Sequence, residues 1–505
     1  MLRCVKIWRP MIKRLIERYP NFSIRLFEIL IPLTAWLMIT LPIWLSFWHP
    51  ALVAYLVLSF DVYWFYKSFL MAINGTKAFI TVTAHAKVDW KQKLLNEFPD
   101  WQKVNHVLII PEFKEPLSVL TDTFENLLKQ DFPLKNLIIT LATETTDPEA
   151  DATSKQLHDK YVSHFKDFWI TKHPKISGEV NGKSANMAWA GKETAQKLHQ
   201  LGINLNLTTV TSCDADVLLH PKYFSYLTQK FLSDPEREYH FYQPAIFFYS
   251  NIWRVPLPSR VVNTISSILN LSMLAQENRL VNFSTYSLCF ATVEKVGFWG
   301  VDVIPEDYHL FFKTFFALGE KVRTVPLFIP VMADAAESIG FWRTMVNQYE
   351  QHKRWAWGVS DIPFVLKNYF TDTKIPFLNK TGRIIHLLEN HLLWPTNWFI
   401  LTLGSTLPPI INHNFARTIL GHNLSQISSA ILTLCIGFLL ILIFLDLRSK
   451  PPRPKDFKAW KIPFLYIQWI TLPIVSFFLS ALPGLDAHTR LMLGKRLEYR
   501  VTEKI

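Results

Sequence analysis

Three short stretches carry side chains able to do chemistry. In SCDADVLLHP, Asp214 and Asp216 stand two apart. In a turn, two carboxylates so spaced can meet one Mg2+ or Mn2+ ion and leave coordination positions for phosphate oxygens. In VIPEDYHLFF, Glu306 and Asp307 follow Pro305, and a carboxylate there can take the proton from an attacking hydroxyl as a general base. In QYEQHKRWAWG, Gln351, Arg354 and Trp355 fall at i, i+3 and i+4, so on a helix an amide, a guanidinium and an indole share one face. The guanidinium suits a diphosphate, and the indole offers a flat apolar surface to a sugar ring.

Each stretch also has a plainer reading. Asp-x-Asp recurs by chance, and DADVLLHP serves equally as an Asx turn capping the helix PKYFSYLTQKFL. Proline followed by acidic residues is what any helix start favours. Gly340 to Gly358 reads as an amphipathic helix at a bilayer surface, with Trp342, Trp355 and Trp357 at headgroup depth and Arg354 snorkelling. That helix could do both jobs, lying on lipid while presenting Gln351 and Arg354.

Position separates these readings. From roughly Val104 to Ile339, the apolar runs HVLIIP, NLIITLAT and LNLTTVTSC alternate with the helix-spaced LSVLTDTFENLLKQ and KSANMAWAGKETAQKLHQ. Continuous apolar strands separated by helices predict a mainly parallel α/β sheet covered on both faces. Ligands bind such sheets at the carboxyl ends of the strands, and Asp214 and Asp216 follow one of those ends.

The remainder of the chain is built for lipid. Half of the 505 residues are hydrophobic and 19% are charged. The net charge of +12 gathers beside apolar runs, which indicates membrane orientation and not nucleic-acid binding. Cys4, Cys213, Cys289 and Cys435 are too scattered for a disulfide framework, and His386 and His391 lack metal-ligand spacing.

A basic segment, 1–25, precedes two expected transmembrane helices within 26–71, the runs Leu26 to Trp48 and Ala51 to Leu70. The pair returns the chain to the side of its basic start, the cytoplasm. Asp61, inside the second run, is expected to face other helices. A C-terminal membrane region, 386–485, holds the runs His391 to Ile411, Leu424 to Leu445 and Ile462 to Leu485.

The loop RSKPPRPKDFKAWK before the last run is basic, and so is the tail 486–505, with Arg490, Lys495, Arg496, Arg500 and Lys504. A single crossing from Ile462 would put that tail outside, against the charge rule. A re-entrant segment around Pro473 and Pro483 is the alternative preferred here.

The order HVLIIPEFKE, GKSAN, DAD, PED and QHKRW between membrane segments resembles the processive membrane glycosyltransferases of family 2, the cellulose, chitin and hyaluronan synthases. The likeness spans a catalytic domain at 104–339 and an interfacial helix at 340–358. It implies a GT-A-like, Rossmann-like cytoplasmic catalytic domain inserted between transmembrane helices, a nucleotide-sugar donor, Mg2+ or Mn2+, and inversion at the anomeric carbon.

Carried onto this sequence, the resemblance makes Asp216 the metal ligand, with Asp214 serving metal and nucleotide. Asp307 becomes the base, with Glu306 beside it. Lys183, Gln351 and Arg354 fall to the donor diphosphate, and Trp355, Tyr286 and Ser287 to the acceptor. One departure stands out: the second strand ends TLATETTD, offering Glu144 and Asp147 where the family has an Asp-rich turn against the nucleoside, so the nucleotide stays open.

The function implied is polysaccharide extension at the cytoplasmic face of the plasma or inner membrane, the partners being a nucleotide sugar, a glycan or lipid acceptor and the bilayer. Transfer of one sugar to a polyprenyl phosphate or another lipid is the close alternative. An inert scaffold or transporter with a decayed transferase domain is the distant one.

Overall fold

The computed structural model describes residues 2–498, with side chains from Pro10 onward. The flank charges Arg3, Lys6, Arg9, Arg500 and Lys504 lie outside the described side chains. The chain forms two compact units, one of Met1–Lys77, Gln348–Thr373 and Phe377–Leu497, the other chiefly Ala78–Asn347.

The second unit is built on seven strands: β1 (Asn105–Pro111), β2 (Leu137–Glu144), β3 (Asp167–His173), β4 (Thr208–Ser212), β5 (His240–Phe247), β6 (Tyr286–Cys289) and β7 (Arg323–Met332). Their order across the sheet is β3-β2-β1-β4-β6-β5-β7. The first four pair in parallel, β5 pairs in parallel with β7, and β6 runs antiparallel to both β4 and β5. Six carboxyl ends therefore share one edge.

Burial explains the apolar runs. Val107, Leu108, Ile109 and Ile110 of β1 are fully covered, each contributing roughly 1.5–3 kcal/mol of transfer free energy. The expected helices form at Leu117–Leu127 and Lys183–Gln200. The second starts directly after Gly182, whose φ of +140° is a conformation that residues with a Cβ avoid, and this puts Lys183 at its first position. On the same helix, a Cβ on Gly191 would come within 2.8 Å of the Phe298 ring and 3.1 Å of Trp299, so its bare backbone permits close packing.

Beyond β1, buried Glu112 meets Asp147 from the turn after β2. Burial first, then the neighbouring Asp147 carboxylate, pushes the Glu112 carboxyl up to about 8. Asp147 also accepts from the Lys114 N–H at 2.6 Å.

In the other unit and its extensions, four helical segments are long and apolar enough to cross a membrane: Pro20–Phe47, Pro50–His85, Ile419–Ser449 and Ala459–Met492. The second runs well past the apolar stretch that ends at Leu70. The expected crossing His391 to Ile411 falls differently. It divides between the helices Phe377–Leu403 and Leu407–Ile411, neither among the four, and the polar residues of "HLLENHLLWPTNW" dilute the hydropathy of the first.

The last segment is broken into short α pieces, Ile462–Ile467, Leu472–Ser476 and Leu482–Met492, joined by 3-10 and π turns. Each piece opens with a proline in its first turn, because proline fits a helix start but breaks an interior. Its end is tied to the first span: Arg25 donates to the Leu491 carbonyl at 2.9 Å, Trp36 to Thr489 at 3.0 Å, and Arg496 pairs with Glu28 at 2.9 Å. Asp61 is fully buried.

Two outcomes follow. Gly191→Val overpacks the contact with Phe298 and Trp299 and should cost about 1–3 kcal/mol, read as a lower denaturation midpoint. For Glu112, whose folded-state pKa is raised from 4.5 to about 8, the stabilisation is whole below the lower value and lost as pH rises through the upper. Glu112→Gln keeps the uncharged shape, so its Tm should match wild type near about pH 5 and exceed it near about pH 9.

Candidate active site

The carboxyl edge of the sheet gathers the polar residues. Asp214 and Asp216 leave β4, and Glu306 opens the helix Glu306–Leu318 with Asp307 in the same turn. Antiparallel β6 starts where β4 ends, Tyr286 opposite Ser212, so residues 284–286 arrive at the same edge.

Lys183 joins them. Its Nζ lies 2.7 Å from Asp214 Oδ1 and 2.6 Å from Glu306 Oε1, and it donates to the Ser284 carbonyl at 3.4 Å. Ser284 donates its hydroxyl to Asp214 Oδ2 at 2.7 Å and its backbone N–H to Asp307 Oδ2 at 2.8 Å. Asp307 Oδ1 accepts from the Tyr308 N–H at 2.8 Å, and its carbonyl from Asn282 at 2.8 Å. Glu306 Oε2 accepts from the Tyr286 hydroxyl at 2.9 Å, which in turn accepts from the Trp299 indole N–H at 2.8 Å.

Electrostatics follow from burial. Glu306 is only 3% exposed, and desolvation, partly offset by Lys183 and reinforced by Asp307, pushes its carboxyl up to about 7. For Lys183, burial opposes the charge, but the carboxylates of Asp214, Glu306 and Asp307 outweigh it and hold the pKa well above the ordinary lysine value. The carboxylates thus favour the protonated lysine, while burial favours the uncharged form of the glutamate.

Asp216 accepts from the Asp334 N–H at 3.3 Å. Among the described residues, no set of three or more His, Cys, Asp or Glu side chains is gathered closely enough to hold a metal. Asp214 and Asp216 supply hard oxygen donors only, a set that fits Mg2+ or Mn2+ when diphosphate and water complete the shell.

Glu144 lies at the end of β2 with Oε2 3.1 Å from His173 Nδ1, and His173 Nε2 is 2.9 Å from Glu179. Burial raises the Glu144 pKa, and the His173 hydrogen bond draws it back. Tyr286 and Ser287, expected at the acceptor, are fully buried. Their strand is internal to the sheet, so the Ser287 hydroxyl bonds Thr211 at 2.7 Å and Tyr223 at 2.8 Å, while that of Tyr286 holds Glu306.

Gln351, Arg354 and Trp355 belong to the other unit, in the second half of the helix Phe341–Ala356. Gln351 is buried and accepts from Gln348 at 2.9 Å. Arg354 and Trp355 are half-buried, with the Trp355 ring 4.8 Å from that of His352. Trp342 is 77% exposed and Trp357 3%, so the three tryptophans are not equivalent surface anchors: Trp357 packs inside its unit.

Sequence reasoning passed over Ser284, Glu112 as the partner of Asp147, and the His173–Glu179 support of Glu144. Only the placement of each just beyond or before a strand end could have marked them.

The family described as Glycosyl transferase family group 2 matches residues 209–445. No curated protein matches the chain. Among solved structures, the chain is similar to the mannosyltransferase PcManGT from Pyrobaculum calidifontis in complex with GDP-Man and Mn2+, at 13% identity over 75% of this chain and 100% of that one, TM-score 0.39. It is also similar to S. aureus TarS 1-349 in complex with UDP-GlcNAc, at 11% identity over 77% of this chain and 91% of that one, TM-score 0.35. GalNAc-T7 with UDP, GalNAc and Mn2+ follows at 10% identity over 59% of this chain and 56% of that one, TM-score 0.30. The glycosyl transferase match starts in β4 and takes in the DAD turn, β6 and the PED helix start on the mixed seven-stranded sheet, and it supports a glycosyltransferase.

Proposed function

We propose that this glycosyltransferase transfers a sugar with inversion from a nucleotide-sugar donor to an acceptor hydroxyl at the cytoplasmic membrane face, extending a polysaccharide. The observation that carries the reading is the Lys183–Asp214–Ser284–Asp307 network at the carboxyl edge of the sheet, with Glu306 beneath it. It offers a carboxylate for the donor side with a cation paired to it, a second carboxylate for the acceptor proton, and Ser284 bonded to both acids.

In this reading Asp307 accepts the proton of the attacking hydroxyl as it bonds to the anomeric carbon. Its two oxygens are oriented by the backbone N–H groups of Ser284 and Tyr308, so little reorganisation accompanies the transfer. Lys183 meets the donor's diphosphate, Asp214 supports nucleotide and metal, and Glu306 holds Lys183. Asp216 and Asp214 would hold Mg2+ or Mn2+, which supplies charge neutralisation to the diphosphate when bound. The family resemblance assigns Arg354 and Gln351 to the departing nucleoside diphosphate, where charge develops, and Trp355 to the acceptor sugar. Glu144 reads the nucleoside.

The basic 1–25 segment supports a cytoplasmic start. The Arg496–Glu28 and Arg25–Leu491 contacts at the foot of the first span support a tail on that same face.

Incubation with a panel of nucleotide sugars, with and without Mg2+ or Mn2+, should give cation-dependent turnover and a polymer ladder; one labelled glycolipid would replace extension by single transfer. Asp307→Asn should lower kcat by about 10²–10⁴-fold with donor binding kept, and full turnover would remove it from the base role. Arg354→Lys should lose about tenfold or more, since an ammonium cannot reproduce a planar two-pronged contact.

A further inference from the structure

Ser284 has a backbone φ of +55°, in the left-handed region that side-chain-bearing residues adopt at a cost of order 1 kcal/mol. Glycine would take this conformation freely, yet a serine occupies it. What the serine gains is that each of its polar groups meets a different member of the site.

Its N–H donates to Asp307 Oδ2 at 2.8 Å, its hydroxyl donates to Asp214 Oδ2 at 2.7 Å, and its carbonyl accepts from Lys183 at 3.4 Å. The residues around it are held from behind. Phe283 N–H donates to Gln243 Oε1 at 2.9 Å, Gln243 Nε2 donates to the Thr285 carbonyl at 3.2 Å, and Thr285 Oγ1 accepts from the Asp214 N–H at 3.3 Å. Asn282, fully buried, donates to the Asp307 carbonyl at 2.8 Å. The turn is thus anchored to β5 on one side and to both acidic segments on the other.

We infer that Ser284 is a positioning residue that fixes the spacing of Asp214 and Asp307, its hydroxyl orienting the donor-side carboxylate while its left-handed backbone aims an N–H at the base. This rests on the transferase reading above. Two separable consequences follow from one residue. The hydroxyl can be removed without disturbing the backbone, because alanine holds the left-handed conformation no worse than serine does. The backbone can be driven out of that conformation by a β-branched side chain, for which positive φ is a true outlier, and the N–H then turns away from Asp307.

The test is steady-state kinetics on the full-length protein in detergent, with donor KM and kcat measured separately for Ser284→Ala, Ser284→Gly and Ser284→Val. In Ser284→Ala and Ser284→Gly, donor KM should rise about tenfold, the loss expected for one hydrogen bond to a charged group, with a smaller fall in kcat. In Ser284→Val, kcat should fall about a hundredfold, approaching the loss on removing the base. Thermal unfolding of each variant, and saturation of Ser284→Val with the nucleoside diphosphate, establish that the domain is folded.

A merely structural role would lower the active fraction in all three variants and leave their donor KM at the wild-type value. That pattern, or wild-type kinetics in Ser284→Val, overturns the positioning role. If wild type turns over donor and Asp307→Asn does not, such a result removes the Ser284 inference alone; if wild type neither binds nor turns over any nucleotide sugar, the transferase reading falls and takes this inference with it.

Discussion

Everything at the carboxyl edge depends on one ammonium group. Glu306 is buried, and an ionised carboxylate in that position would cost several kcal/mol if left unpaired. Lys183 sits 2.6 Å from it and 2.7 Å from Asp214, so a single cation balances a buried acid and a more exposed one. Burial alone would expel the lysine's proton; the surrounding carboxylates retain it. The pairing also sets rigidity, because Glu306 is held from its other oxygen by Tyr286, and Tyr286 by the Trp299 indole. The chain from Trp299 to Asp214 is a continuous run of hydrogen bonds and ion pairs through otherwise apolar packing, where each link is stronger than it would be in water.

The sheet's mixed direction makes that arrangement possible. Were β6 parallel to its neighbours, its first residue would lie at the opposite edge, and the Ser284 turn with it. Because β6 is antiparallel between β4 and β5, the segment leading into it passes between the DAD turn and the PED helix start. A serine with a left-handed backbone then reaches both. The same device explains why Tyr286 and Ser287 are spent inside the domain: they belong to an internal strand, and their hydroxyls have neighbours on every side.

In the other unit, sequence and packing solve a different problem. Prolines at the starts of short helical pieces keep Ala459–Met492 from being one regular helix, and backbone groups freed at such breaks must find partners within the protein where lipid is the solvent. Trp398 and Trp394 donate indole N–H groups to the carbonyls of Pro473 and Ser480 at 2.8 and 3.2 Å, tying the broken segment to the helix Phe377–Leu403. The buried Lys450–Asp446 pair at 2.6 Å, one turn apart at the end of the long helix Ile419–Ser449, keeps both charges partnered.

By itself the sequence determined the period of each element. Unbroken apolar runs made β1, β2 and β4, helical spacing made Lys183–Gln200, and proline with acidic residues opened the helix at Glu306. It also placed Asp214 and Asp216 after a strand end, because in a parallel sheet that position is set by chain order alone. Long apolar helices were equally visible, since crossing a bilayer is a matter of local length and hydropathy; the helix Phe377–Leu403, with polar residues among its apolar ones, was not separable from them. What only the tertiary structure decided is which strand reverses and which residues that reversal delivers. Strand direction depends on pairing with partners distant in the chain, so neither Ser284 between two acids, nor Glu112 against Asp147, nor Tyr286 turned inward to Glu306 leaves any trace in local periodicity.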